Sequence, residues 1–106
     1  MPARDLTAYR LTPAAQGDLA DIWLYTLQQW SIEQADRYAD ILEDTFDRLL
    51  FMPEMARDRT EFDPPVRIHP SADHLILYRI DRDHLVILRV LGAGQDWQAI
   101  LRAADQ

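Results

Sequence analysis

The sequence contains no cysteine and no lysine, and only three of its 106 residues are glycine. Without cysteine the chain has no disulfide scaffold, no thiolate zinc site and no thiol nucleophile. Without lysine its basic residues are 11 arginines, which suit planar, bidentate contacts. No apolar run approaches the roughly 18 residues of a membrane span, and the N-terminus lacks the apolar stretch of a signal peptide. We therefore expect a soluble, cytoplasmic protein without a membrane partner.

Positive charge is also scarce in this sequence. The 18 acidic residues outnumber the 11 basic ones, which gives a formal net charge of -7. This balance opposes long-range attraction to phosphates, so we expect no direct nucleic-acid binding. At this length we expect a single domain, residues 1–106, that buries about two-thirds of its unfolded surface. With 48% hydrophobic residues it should form a globular fold.

The order of predicted elements is clear from hydrophobic spacing and capping residues. A short strand, residues 6–11, leads into a helix that Thr12 caps and Pro13 begins. A second helix starts at once after Ser31, a capping residue, and ends before Pro53. So short a connection forces the two helices into an antiparallel hairpin.

Three β-rich runs follow a loop at residues 53–65, and a short helix capped by Asp96 comes last. The runs are residues 66–69, 74–80 and 85–91, and their short separations predict an antiparallel meander. The predicted order is β-α-α-β-β-β-α. The predicted fold class is α+β, with the helical hairpin packed on a small, mainly antiparallel, twisted sheet.

Strand parity predicts which residues share a face, because residues opposite each other in an antiparallel pair point to the same side. We expect Asp81 to pair with His84 in the last hairpin, and His69 with His74 in the hairpin before it. The resulting pairs are Tyr78 with Ile87, Ile76 with Arg89, and Arg67 with Ile76. These pairs place the polar strand residues on one side of the sheet.

That side is the candidate functional surface. It gathers Arg67, Tyr78, Arg89 and His69, with His74 close by. The opposite side is almost purely aliphatic, and we expect it to receive the helical hairpin; it carries Val66, Ile68, Leu75, Leu77, Val86, Leu88 and Val90. An alternative is that the two arginines only pair with acidic residues or lie over a sheet edge.

No set of residues predicts a metal or a cofactor. His69 and His74 could face each other across a turn, but two histidines without a third ligand in register do not make a metal site. The acidic residues between Asp36 and Asp47 fall around the outer side of the second helix, where a solvated face is typical. We expect neither a metal nor a cofactor.

The tryptophans of the first helix allow two interpretations. Trp23 and Trp30 lie on its apolar stripe and are most simply core residues. Because two helices and one small sheet can hardly cover every aromatic side chain, a groove for a partner beside the hairpin is the alternative. In that case the partner would contact Trp23, Leu27, Trp30 and Tyr38.

The chain as a whole resembles the ParE branch of the RelE/ParE superfamily of type II toxins. The resemblance runs from about Tyr9 to Leu101. It rests on the segments YRLTPAAQGDLADIWLYTLQQWSIEQADRY, VRIHPSADHLILYRID and HLVILRVLGAGQDWQAIL. It implies a toxin that a ParD-like antitoxin neutralises, with the C-terminal segment of the antitoxin folded along the helical hairpin and sheet.

The resemblance further implies growth arrest through inhibition of DNA gyrase by protein-protein contact, without an enzyme activity. The target would be contacted by Arg67, Tyr78, Arg89 and Trp97. The RelE branch instead cleaves mRNA on the ribosome, and in that alternative Arg67, Tyr78, Arg89 and His69 would be catalytic. The acidic balance and the lack of lysine favour a protein target over RNA.

Two positions depart from the family pattern. Family members often have a histidine after the last strand's RVL and a basic residue before the following aspartate, where this chain has Gly92 and Gln95. If those groups contribute to toxicity, this chain is a weakened toxin or a non-toxic relative that still binds its antitoxin.

Overall fold

The structure, a computed structural model, describes residues 6–104. Its helices and strands follow the predicted order. They are β1 (Ala8–Leu11), α1 (Pro13–Gln29), α2 (Ile32–Phe51), a short 3-10 turn (Pro53–Met55), β2 (Arg67–Ser71), β3 (His74–Asp81), β4 (His84–Gly92) and α3 (Trp97–Ala104). The first strand starts two residues later than predicted. The fold class is α+β, as expected.

Each α-helix begins at the capping residue that the sequence predicts. The side-chain oxygens of Thr12, Ser31 and Asp96 each accept a hydrogen bond, 3.1 Å long, from the backbone N–H three residues further on. These bonds satisfy amide donors that the first helical turn leaves free. Because only Trp30 and Ser31 separate α1 from α2, the two helices form the predicted antiparallel hairpin.

The sheet has the strand order β1-β4-β3-β2. The last three strands form the predicted antiparallel meander, and β1 lies parallel to β4, with Tyr9 opposite Leu85. The sheet is therefore mixed but mainly antiparallel. The crossover from β1 to its parallel neighbour β4 contains the whole helical hairpin, which positions both helices over one face of the sheet.

The register of β3 and β4 follows the prediction near the turn and departs from it beyond Tyr78. The pairs near the turn are Asp81 with His84 and Tyr78 with Ile87. The register then shifts between Leu77 and Tyr78, because β4 has one extra residue there, Leu88. This β-bulge in β4 places Arg89 opposite Leu77. The predicted pair of Ile76 with Arg89 is wrong, and Arg89 falls on the opposite side of the sheet from Tyr78.

The register of β2 and β3 differs from the prediction by two residues. Arg67 lies opposite Tyr78, where Ile76 was expected. The difference arises because the connecting turn has only two residues, of which Ala72 adopts a φ of 52°, while Pro70 lies in the strand. An edge strand tolerates the missing N–H of a proline. A shift of two residues preserves parity, so Arg67 and Tyr78 share a face as predicted.

The helical hairpin covers the opposite face of the sheet from the one predicted. The helical hairpin packs on the face that carries Ile76, Tyr78, Leu85, Ile87 and Val90, called here the inner face. The aliphatic face, called here the outer face, is covered by α3 and the loop before β2. Both faces carry enough apolar side chains to form a core, and parity alone does not determine which of them the helices cover.

Candidate functional site

A groove of about 610 Å³ opens between α1, α2 and the turn that joins β2 to β3. We call it the hairpin groove. Its walls are formed by Asp21, Ile22, Tyr25, Thr26, Trp30, Gln34, Arg37, Tyr38, Ile41, Asp73 and His74. The mixture of aromatic and aliphatic walls with a few polar groups is typical of a site for a protein segment or another ligand.

Aromatic side chains are unusually exposed in the hairpin groove. Trp30 is 72% exposed and Tyr25 is 63% exposed. The prediction that Trp30 belongs to the core is wrong, because this residue follows the last turn of α1 as its C-terminal cap and its side chain is exposed. The only fully buried residue of α1 is Ala15, so this helix leaves much of its apolar surface uncovered. A cluster of this kind marks an interaction surface.

The other residues predicted for partner binding are divided between two sides of the hairpin. Tyr38 lines the hairpin groove together with Trp30. Trp23 lies in a smaller cleft on the other side, where its indole N–H donates to Asp36 at 3.2 Å. Leu27 is half-buried and does not line the groove. The structure therefore brings together two of the four residues.

Tyr38 connects α2 to the turn between β2 and β3. Its hydroxyl lies 2.6 Å from Nδ1 of His74 and accepts a hydrogen bond from the backbone N–H of Asp73 at 3.1 Å. Burial lowers the pKa of His74, against the opposing effect of nearby Asp73 and Asp18. The lowered pKa favours the neutral imidazole at pH 7, and its Nδ1 shares a hydrogen bond with the Tyr38 hydroxyl. This contact fixes the floor of the groove.

Arg67 and Tyr78 anchor the segment that follows α2 rather than form an open surface. Tyr78 is fully buried, and its hydroxyl donates to the backbone oxygen of Pro53 at 2.7 Å. Burial raises the pKa of this phenol. The Arg67 guanidinium donates to the backbone oxygen of Ala56 and pairs with Asp58 at 3.0 Å. Both side chains have their polar groups occupied.

Arg89 forms a bidentate pair with Asp18 of α1. Its Nε and Nη2 each lie 2.8 Å from a carboxylate oxygen, and the backbone N–H of Val90 donates to the same carboxylate at 2.9 Å. The hydrogen bonds to Asp18 raise the pKa of Arg89. Since Arg67 also has a carboxylate partner, both arginines pair with acidic residues in this structure.

The remaining predicted residues lie apart from each other. His69 is on the inner face, and burial together with the charge of Arg48 lowers its pKa. Trp97, on α3, packs against Phe62 with ring centroids 5.8 Å apart, and the Arg59 guanidinium lies 5.2 Å from its centroid. The predicted single cluster does not form, because Arg89 and Trp97 are on the opposite face from Arg67, Tyr78 and His69.

The two positions that depart from the family pattern contact each other. The backbone N–H of Gly92 donates to Oε1 of Gln95 at 2.7 Å, and the backbone N–H of Gln95 donates to the carbonyl of Gly92 at 3.0 Å. A Cβ at position 92 would lie 3.4 Å from the same Oε1. Gly92 and Gln95 are therefore joined by two hydrogen bonds, and a Cβ at position 92 would make only an ordinary van der Waals contact with the amide.

Two general features of the described residues bear on function. Within residues 6–104, no group of three or more histidine, aspartate or glutamate side chains is placed to hold a metal ion. In the same range, no helix is both long enough and apolar enough to span a membrane.

Sequence reasoning missed eight of the eleven residues that line the hairpin groove. They are Asp21, Ile22, Tyr25, Thr26, Gln34, Arg37, Ile41 and Asp73. A usable signal exists for Tyr25 and Ile41, because each interrupts the polar side of its helix with a large apolar group. Asp73 comes from a different part of the chain, so only the fold brings it to the helices.

Similarity to known proteins extends over most of the chain. Residues 9–97 match the family model of the ParE toxin of type II toxin-antitoxin systems, parDE. Toxin ParE1 of Mycobacterium tuberculosis is 33% identical over 89 residues, which cover 83% of this chain and 91% of that protein. Toxin ParE1 of Caulobacter vibrioides is 34% identical over 93 residues, or 88% of this chain and 96% of that protein.

A solved structure has the same fold. A chain of the chromosomal ParDE TA system from P. aeruginosa superposes with a TM-score of 0.71, at 17% sequence identity. The superposition covers 85% of this chain and 98% of that chain. The order of helices and strands described above is therefore also present in a structure of low sequence identity.

Proposed function

The chain belongs to the ParE toxin family of type II toxin-antitoxin systems, and we propose that a ParD-like antitoxin neutralises it by covering the hairpin groove. The observation that carries this proposal is the exposure of Tyr25 and Trp30 beside the apolar wall at Ile41. A monomeric protein rarely leaves such side chains uncovered in one groove. In the cell they are covered when the antitoxin is bound.

The shape of the groove suits a helical antitoxin segment. Two antiparallel helices form its sides, and an amphipathic helix laid between them presents apolar side chains at every third and fourth position. Buried aromatic residues dominate the binding energy of such interfaces. We therefore assign the largest share of antitoxin affinity to Trp30, with Tyr25 and Tyr38 next to it.

Removing two aromatic side chains tests the antitoxin proposal. The chain is co-purified with a ParD-like antitoxin, and the dissociation constant of the complex is measured by calorimetry. The double change Tyr25→Ala with Trp30→Ala should weaken binding at least about 100-fold, since each such anchor contributes about 2 kcal/mol or more. An unchanged dissociation constant would exclude the hairpin groove as the antitoxin site.

Phe51 provides the matched control for this experiment. It is 83% exposed at the C-terminal end of α2 and does not line the hairpin groove. Phe51→Ala therefore removes a comparable aromatic surface elsewhere and should leave antitoxin binding within about twofold of the original protein. A large loss for Phe51→Ala would move the interface to the other end of the hairpin.

We propose DNA gyrase as the target, reached by protein-protein contact in the cytoplasm, with growth arrest as the result. The acidic net charge of -7 supports a protein target. Of the residues predicted for target binding, Arg89 and Trp97 remain the proposed contacts because both are partly exposed. Tyr78 is buried, and the side chain of Arg67 is 13% exposed against 26% for Arg89, although each arginine pairs with a carboxylate.

A supercoiling assay tests the target. The purified, antitoxin-free chain should inhibit gyrase at micromolar concentration, and Trp97→Ala should weaken the inhibition about tenfold. Folded protein that leaves supercoiling unchanged at a large excess would exclude gyrase. If expression without antitoxin also leaves growth unaffected, the chain is a non-toxic relative, as its Gly92 and Gln95 allow.

The alternative of an mRNA endonuclease has less support from the geometry. The residues it requires lie on two faces of the sheet, and the hydroxyl of Tyr78 is buried and bonded to Pro53. Transcript mapping after induction distinguishes the two activities, because codon-phased cuts in mRNA belong to an endonuclease and a DNA-damage response belongs to gyrase inhibition.

A further inference from the structure

The hairpin groove has two chemically different ends. Trp30 closes one end at the C-terminus of α1, called here the tip end. Asp21 lies nine residues earlier in the same helix, about 13 Å away along its axis at 1.5 Å per residue. There the groove also contains Asp73 and His74, and we call this the inner end. The tip end is aromatic, and the inner end is acidic.

The carboxylates of the inner end carry charge that nothing in the described chain neutralises. Among residues 6–104, the ion pairs involve other side chains, and neither Asp21 nor Asp73 takes part in one. The lowered pKa of His74 favours its neutral form at pH 7, and its Nδ1 shares a hydrogen bond with Tyr38. Two negative charges therefore flank the groove at this end.

The arginine that lines the hairpin groove is held elsewhere. Arg37 also lines the groove, but its guanidinium donates to the side-chain oxygen of Gln34 at 3.0 Å. Gln34 is in the first turn of α2, so this contact belongs to the tip end. The field along the groove thus runs from a positive group near the tip to negative groups at the inner end.

We propose that the inner end of the hairpin groove recognises a lysine or arginine side chain of the antitoxin segment, held between Asp21 and Asp73. This inference rests on the proposed function. The alkyl stem of such a residue packs along the exposed edges of Tyr38 and Tyr25, while its charged head reaches the two carboxylates. Charge complementarity identifies the occupant as a basic, amphipathic segment.

The separation of the two ends adds a spacing rule. A helical segment that lies along α1 and places an apolar side chain beside Trp30 reaches the inner end about nine residues later, since both helices have the same rise. The antitoxin segment should therefore carry a lysine or arginine eight to ten residues from its apolar anchor. A basic residue at that spacing distinguishes this segment from a generic amphipathic helix.

Neutralising the two carboxylates tests the proposal. Affinity for the full-length ParD-like antitoxin that binds the original chain is measured for Asp21→Asn, Asp73→Asn and the double variant, at about 0.05 M and about 0.5 M salt. Each single change should weaken binding about fivefold at low salt and the double change about 20-fold, with smaller effects at high salt. Circular dichroism melts establish that the variants fold.

The matched control is Asp40→Asn. Asp40 is exposed on α2, outside the groove. This change removes one negative charge, as each single variant does, without altering the inner end. It should leave the dissociation constant within about twofold. A double-mutant cycle then identifies the antitoxin residue: one lysine or arginine, changed to glutamine, should lose its effect in the Asp21→Asn, Asp73→Asn protein.

The outcomes separate this inference from the proposed function. If Tyr25→Ala with Trp30→Ala abolishes binding but the asparagine variants behave like Asp40→Asn, the cation site is wrong and the antitoxin groove stands. If the original chain does not bind the antitoxin, both are wrong. Self-association of the isolated chain through the groove, seen by sedimentation and lost in the alanine variant, would replace the antitoxin with a second copy.

Discussion

The inner and outer faces of the sheet are closed in different ways. Two helices of 17 and 20 residues cover the inner face, and side chains such as Leu42 and Ile87 are completely enclosed there. The eight-residue α3 and a loop cover the outer face, where Phe62 and Leu101 each retain 8% exposure. A cavity of about 340 Å³ remains beside Arg79 and Arg89 on that side.

This difference separates a well-packed part of the molecule, the helical hairpin with the inner face, from a more loosely packed part, the cover of the outer face. The hairpin groove is lined by the same helices that seal the inner face, so the proposed antitoxin surface is presented by the best-packed part of the chain. Sites on rigid elements hold their geometry closely. The outer cover has fewer buried contacts, and we expect it to open at a lower free-energy cost.

The largest predicted effect compares two identical changes, one on each face. Leu42→Ala removes a side chain that is 1% exposed in the inner core and should lower the free energy of unfolding by about 3 kcal/mol or more. Leu101→Ala on α3 should cost about 2 kcal/mol, because its surroundings are looser. Urea unfolding measures both. An equal or larger loss for Leu101→Ala would contradict the comparison.

The next effect concerns the pair that joins the two faces. Asp18→Ala leaves Arg89 and the N–H of Val90 without their acceptor at a site that is only partly exposed, which should cost about 2 kcal/mol of unfolding free energy. Asp40→Ala, on an exposed helix position, is the control and should change stability by less than about 0.5 kcal/mol. If both cost the same, the pair does not hold α1 to β4.

The smallest effect is a pH dependence confined to the inner face. Burial is the main cause that lowers the pKa of both His69 and His74 below the ordinary value. The unfolded chain therefore binds their protons more readily than the folded one, so their contribution is complete above about pH 6.5 and falls as the solution becomes more acidic. His69→Gln with His74→Gln should reduce the loss of stability between pH 7.5 and 5.5.

Urea unfolding of the original and doubly substituted chains at the two pH values measures this contribution, since the difference between the chains removes the common effect of the carboxylates. Indole N–H signals of Trp97 and Trp23 locate the change, because these residues lie on α3 and on the helical hairpin, respectively. A larger acid response at Trp97 than at Trp23 would assign the sensitivity to the outer face instead.

Local features of the fold could be predicted from sequence. The caps at Thr12, Ser31 and Asp96 act over three residues, and each forms as predicted. The element order and the pairing beside the β3–β4 turn also follow from neighbouring residues. Of the candidate site, Trp30 and Tyr38 were predicted to contact a partner because their types and helical spacing are visible in the sequence, and both line the hairpin groove.

Features that depend on distant residues could not be predicted. The bulge in β4 is held by Thr12, whose hydroxyl donates to the carbonyl of Leu88 at 2.8 Å, and by Asp18, which binds Arg89. These contacts join residues more than 70 positions apart. The acidic inner end of the groove likewise needs Asp73 to meet α1. Strand parity contains no information about either contact.

The bulge at Leu88 changes which residues of β4 face the helices. Before it, every second residue of β4 faces the helices, and after it the other set does, so Ile87 and Val90 both point inward. In a relative without the bulge, an arginine aligned with Arg89 would lie on the opposite side of the sheet. Two residues that a sequence alignment treats as equivalent would then contact different neighbours in the two structures.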